Sequence, residues 1–287
     1  MTMPHHKNFG TAFERYLICF LSLTTGLVLI YLAVEGPLLL NTIHYKTSPS
    51  GIFQIKGQDL INLFLLGPLL ICSSIALYFM KEISKYLIIL TPLYLIYYVL
   101  SYTIGLEWSS VTYSGNSEHY SFYFLFVMVS ALITLLYALS IFPKLFQHSL
   151  KKNQLMIYSI IFVVFILLFS SMWFKEVISV IQTGTTPGYN EAPAGFWTIR
   201  FLDLGFTIPV GLISVYLLWT RPTETYSVQF MFYGFFITMI SAVNAMGIMM
   251  FLNNDPLFTV GSMAVFMILA LIVFTGFIFI IKNFKRV

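Results

Sequence analysis

Eight separate stretches of this chain are apolar over lengths that can cross a bilayer: residues 16–34, 59–80, 86–105, 119–142, 155–174, 197–220, 228–252 and 257–281. About 20 residues suffice for a helical crossing. The runs are continuous rather than alternating, which excludes a transmembrane barrel. In hydrocarbon a segment must satisfy its own backbone hydrogen bonds, so each run is predicted to be a helix. The expected fold class is all-α, a polytopic transmembrane bundle of eight helices. With 59% hydrophobic and 9% charged residues, the chain has no room for a soluble domain. The run beginning at Tyr16 lacks a small-residue cleavage site, so it reads as a retained helix rather than a signal peptide.

Orientation follows from Lys and Arg, which concentrate in cytoplasmic loops. With the N-terminus inside, 11 of the 15 basic residues fall on the cytoplasmic side, leaving Lys46, Lys56, Lys175 and Arg200 outside. Both termini are thus expected in the cytoplasm, and the location is a cell (inner) membrane. Eight of the 11 acids lie on or near the outer side. The expected division is a cytoplasmic tail at 1–15, a four-helix half at 16–142, a linker at 143–154, a second half at 155–281 and a cytoplasmic tail at 282–287. The outer loops Glu35–Gly57 and Lys175–Gly195 occupy equivalent places in the two halves. Each is followed by a basic residue, two spacers, an acid and leucine: Lys56-Gly-Gln-Asp59-Leu60 and Arg200-Phe-Leu-Asp203-Leu204. This predicts a direct repeat related by an axis along the membrane normal.

Ionisable groups at the hydrocarbon boundary are costly and mark candidate sites. Arg200 and Asp203, three residues apart, share a helix face and are expected to pair. Asp59 and Asp203 read either as acids capping the first turns of helices or as ligand groups. Glu35, Glu107, Glu176 and Asp255 close the odd-numbered helices, where the dipole disfavours negative charge. Tyr94, Tyr98 and Tyr102 form a stripe at four-residue spacing, with Tyr97 beside it. Asn244 reads as helix–helix glue or as a polar contact in the same outer cavity. The candidate ligand-binding set is therefore Arg200, Asp203, Asp59, Glu35, Glu176, Tyr98, Tyr102 and Asn244, with no catalytic residue assigned.

No metal site and no cofactor are expected, because histidine and cysteine lack ligand spacing. Cys19 and Cys72, both in apolar runs, read as packing residues rather than a disulfide framework. No aqueous basic patch with interleaved aromatics supports nucleic-acid binding. The expected partners are membrane lipid and a small or amphipathic ligand. The leading reading is a protein that binds or transports such a ligand in an outward-facing polar pocket. An intramembrane enzyme acting on a lipid or isoprenoid through carboxylate acid–base chemistry is the first rival, and a structural or assembly protein the second.

The stretches Gly57-Gln58-Asp59-Leu60 through Pro68-Leu69, Tyr97-Tyr98, Ser101-Tyr102 and Leu202-Asp203-Leu204-Gly205 through Pro209 resemble a widespread set of uncharacterised prokaryotic polytopic membrane proteins. The resemblance spans roughly residues 55–140 and 196–215. It implies a membrane bundle and carries no activity and no site residue.

Overall fold

A computed structural model describes residues 9–144 and 146–286. Within them are eight helices long and apolar enough to cross a membrane: helix 1 Ala12–Glu35, helix 2 Pro49–Tyr78, helix 3 Ser84–Thr103, helix 4 Ser117–Ile141, helix 5 Lys152–Thr183, helix 6 Pro193–Thr220, helix 7 Thr225–Leu252 and helix 8 Val260–Asn283. A three-residue antiparallel pairing joins Phe146–His148 to Phe284–Arg286. Helix 8 is the most peripheral element, with only Val273 and Ile280 buried among its residues, so its apolar side chains face the surroundings.

Two expected loops are partly helical. Helix 2 begins at Pro49, capped by the Ser48 side chain accepting from Gly51 N–H. Helix 5 runs on to Thr183 and stops at Gly184, whose φ of 73° is a left-handed stop suited to glycine. A short helix, Pro187–Glu191, lies between helices 5 and 6. Polar, glycine-containing sequence suggested loops here, but these segments lie above the apolar runs and need no hydrocarbon to be helical. As a consequence, Asp59 and Asp203 each stand about three turns inside their helices rather than at a cap.

Helices 2 and 6 share an unusual feature. Helix 2 widens into a π-turn at Asn62–Leu66 and helix 6 does so at Asp203–Thr207. Pro68 and Pro209 follow at the same offset. Proline lacks the N–H and crowds the carbonyl four residues back, and a local π-turn relieves that conflict without ending the helix. The two turns lie 141 residues apart, counted from Asn62 to Asp203. The same spacing relates Glu35 to Glu176. It also relates two buried serines with the same back-bond: Ser73 Oγ donates to Leu70 O at 2.8 Å and Ser214 Oγ to Gly211 O at 2.7 Å. The sequence match of Asp59 with Asp203 is therefore out of register. Asn62 occupies the place of Asp203, and Asp59 that of Arg200.

Packing follows the same exchange. Helix 2 lies on helix 7, helix 6 lies on helix 3, and helices 3 and 7 lie on each other. The two cross-contacts differ in closeness. At Gly57 a Cβ would sit 2.4 Å from Met246 N, so glycine is what lets helix 2 touch the backbone of helix 7. The counterpart of Gly57 on helix 6, 141 residues on, is Thr198, which carries a Cβ where helix 2 has none. Helix 6 reaches helix 3 at its start, where Gly195 lies against Gly105 O, and again lower, where Phe206, Val210 and Leu93 line one small pocket. Between these contacts the bundle is open.

Helix 3 is itself broken, into a turn at Ser84–Leu87 and a longer piece at Pro92–Thr103. Gly234 of helix 7 fits against the break, where a Cβ would come 2.3 Å from Leu90 O. Over the first half, the loop after helix 1 is tied to the loop after helix 3. Lys46 Nζ donates to Trp108 O at 2.7 Å and pairs with Glu118 at 2.8 Å, and Asn116 bonds to both His44 N–H and Thr42 O.

Candidate functional site

The opening left between helices 3 and 6 is a cavity of about 450 Å³, walled by helices 2, 3, 5, 6, 7 and 8. It runs from Thr47, Glu191 and Thr259 among the loops to Phe165, Phe236 and Leu269 near the middle of the bundle. Its floor is an aromatic layer. Phe162 packs on Phe232 at 5.1 Å, Phe232 on Phe236 at 4.6 Å and Phe165 on Phe236 at 5.8 Å between ring centroids. All four are buried. The cavity is thus blind toward the end of the bundle that carries the termini. Its size lies within the range of small-molecule sites, about 300–1,000 Å³.

The polar wall comes from helix 6. The π-turn begins at Asp203, which lines the cavity and is only 2% exposed. Tyr97, Trp173 and Thr207 stand around its carboxylate, and Arg200 is within electrostatic reach. Its Oδ1 nevertheless makes no hydrogen bond of proper geometry, and neither do Trp173 Nε1, Thr207 Oγ1 or Arg200 Nε. Buried polar atoms are normally satisfied, so Trp173, Arg200 and Asp203, which share the cavity wall, mark where a ligand or water would bind.

Arg200 does not pair with Asp203. Its guanidinium pairs with Glu176, one helix away. It also lies over the Trp173 ring at 4.4 Å and the Phe196 ring at 4.1 Å from the centroids. The expected i, i+3 pairing fails because the π-turn starts at Asp203 and because helix 5 extends past Glu176. That extension offers a carboxylate on the neighbouring helix.

In the first half the equivalent turn is filled by the protein itself. Tyr94 O–H donates to Gln58 Oε1 at 2.7 Å, Gln58 Nε2 donates to Asn62 Oδ1 at 2.9 Å, and Asn62 Nδ2 donates to Tyr98 O–H at 3.3 Å. This chain satisfies two members of the tyrosine stripe. Tyr98 packs on Tyr102 at 4.5 Å between ring centroids with the planes tilted by 43°, and both residues line the cavity.

The other candidates lie elsewhere. Asp59 is buried behind this network, accepts only a long bond from Leu38 N–H at 3.4 Å, and presses on Gly36, where a Cβ would lie 2.5 Å from its Oδ2. Glu35 accepts from the Thr42 hydroxyl. Glu176 touches the site only through Arg200. Asn244 donates to Ile240 O and Phe266 O, tying helix 7 to helix 8, which makes it glue rather than a cavity residue. Of the eight expected ligand residues, Arg200, Asp203, Tyr98 and Tyr102 line the cavity.

Gln58, Tyr97, Trp173 and Glu191 line it as well and were not in that set. Trp173 lies three residues before Glu176 and therefore on the same face, a signal the sequence carried. Among the described residues there is no cluster of His, Cys, Asp and Glu that could hold a metal ion. Cys19 is buried, but Cys72 is exposed and lies outside the packed interior. No family model, curated protein or solved structure matches this chain.

Proposed function

We propose that this integral membrane protein binds or transports a small amphipathic ligand in the cavity between its halves. The observation that carries the reading is a blind cavity of about 450 Å³ with apolar walls and one polar face holding Arg200 and Asp203. Mostly apolar walls with a few convergent polar groups are the usual composition of a ligand site. The distribution of basic residues supports a cell-membrane location with both termini cytoplasmic, which opens the cavity to the outer side. The aromatic floor means that passage to the other side requires the Phe162, Phe165, Phe232 and Phe236 layer to part, so binding is the resting state.

The enzyme reading is weaker on this geometry. Carboxylate acid–base chemistry calls for groups facing one substrate; of the expected acids only Asp203 lines the cavity, and the other carboxylate there, Glu191, lies at its rim. The test is native mass spectrometry of the purified protein together with a Ser101→Phe variant, whose new ring fills the cavity. A small amphipathic molecule is expected to copurify with the unaltered protein and to be absent from the variant. Equal recovery from both, or none from either, refutes the reading.

A further inference from the structure

The cavity's charge points to the kind of molecule it takes. We propose that the ligand's polar group is a monocation, an amine or quaternary onium centre carried on an apolar body. This deepens the proposed function and rests on it.

Among the described residues that line the cavity, the acidic and basic side chains are Glu191, Arg200 and Asp203. The charge of Arg200 is already engaged, by the Glu176 carboxylate and by two aromatic faces. An anionic ligand would share Arg200 with Glu176, reaching the Nε that lacks a hydrogen bond, while facing Asp203 and Glu191. Asp203 has Tyr97, Trp173 and Thr207 around it and Arg200 within electrostatic reach, but among the described residues it forms no ion pair. It is 2% exposed, its Oδ1 lacks a hydrogen bond, and no basic side chain other than Arg200 lines the cavity with it. A buried carboxylate costs free energy unless it is paired, and a cation in the cavity supplies the missing partner.

The walls suit such a centre. Aromatic residues, Tyr97 and Phe236 among them, line the cavity together with Asp203, and aromatic rings attract an onium group most strongly where water is excluded. Met239, Met246, Met250 and Met263 give an adaptable surface for the apolar body.

Two ions of nearly the same shape and opposite charge, tetraphenylphosphonium and tetraphenylborate, separate the alternatives. Binding of each to the purified protein is measured by equilibrium dialysis. Specific binding is the difference between the unaltered chain and the cavity-filled Ser101→Phe variant. The expected result is saturable phosphonium binding, at least about tenfold tighter than borate binding, the equivalent of about 1.4 kcal/mol. Asp203→Asn should weaken it about tenfold or more at similar thermal stability. If that variant fails to fold, Glu191→Gln at the rim should still lower phosphonium affinity measurably.

Borate bound as tightly as phosphonium, or phosphonium affinity unchanged in every folded acid variant, overturns the charge assignment. In the borate case the cavity remains a ligand site. If neither ion binds specifically and nothing copurifies, the proposed function falls together with this inference.

Discussion

At the scale of single residues, the informative fact is which partner Arg200 takes. Its side chain is 12% exposed and that of Glu176 is 43% exposed, so the pair spans a gradient from protein interior to water. Removing the glutamate strands a half-dry guanidinium, whereas removing the arginine leaves a carboxylate that water can reach. Glu176→Ala should therefore lower the melting temperature more than Arg200→Met. In a double-mutant cycle the Arg200–Glu176 coupling should be about 0.5–3 kcal/mol, the range for residues in direct contact or one network. The cycle on Arg200 and Asp203 should give clearly less. Equal couplings, read from thermal unfolding in detergent, would contradict this pairing.

Lys85 makes a related point at the other end of the bundle. It is fully buried, pairs with Glu82 at 3.0 Å and lies 4.2 Å from the Phe9 ring centroid. It lies between the second and third apolar runs, among the basic residues that the sequence places on the cytoplasmic side, yet the fold buries it.

At the scale of elements, proline and glycine decide how the helices meet. Gly57 and Gly205 are both glycines inside long helices, and the structure separates their roles. A Cβ on Gly57 would strike the Met246 backbone at 2.4 Å, while Gly205 has nothing within 4 Å. Gly57→Ala should therefore cost about 1–3 kcal/mol, as overpacking does. Gly205→Ala should be neutral or stabilising by up to about 1 kcal/mol, from helix propensity alone. Comparable losses in both variants would mean that the helix 2–helix 7 contact is not as close as described.

The π-turns are a second device at this scale. Each inserts one extra residue into a turn, so the helix before it is rotated relative to the helix after it. Deleting one residue from Asp203–Thr207 should restore an ordinary helix and turn Arg200 away from Glu176. The chain should then still insert but lose the copurifying ligand. Retention of that ligand by the deletion variant would separate the π-turn from the site.

At the scale of the whole molecule, the two halves have matching turns, matching back-bonds and exchanged neighbours, which we interpret as a direct repeat. Its functional consequence is its failure: Gly57 closes the contact of helix 2 with helix 7, while the contact of helix 6 with helix 3 is open and the cavity lies there. Orientation is tested separately. Cysteines placed at Ser114 and Thr185 should react with an impermeant thiol reagent added outside sealed cells, and one at Ser149 should not. The reverse pattern inverts the topology.

Hydropathy alone determined the eight crossings and the fold class, because the free energy of placing a residue in hydrocarbon is close to a sum over residues along one segment. That sum needs no knowledge of neighbouring helices. It also located Arg200, Asp203 and the tyrosine stripe as the costly groups near the boundary. Pairing was decided only by the tertiary structure. Whether Arg200 meets Asp203 or Glu176, and whether Asn244 faces the cavity or helix 8, depend on how each helix is rotated about its axis. That rotation is set by two π-turns and by how closely a glycine lets one backbone approach another. No one-dimensional pattern of apolar and polar residues contains it.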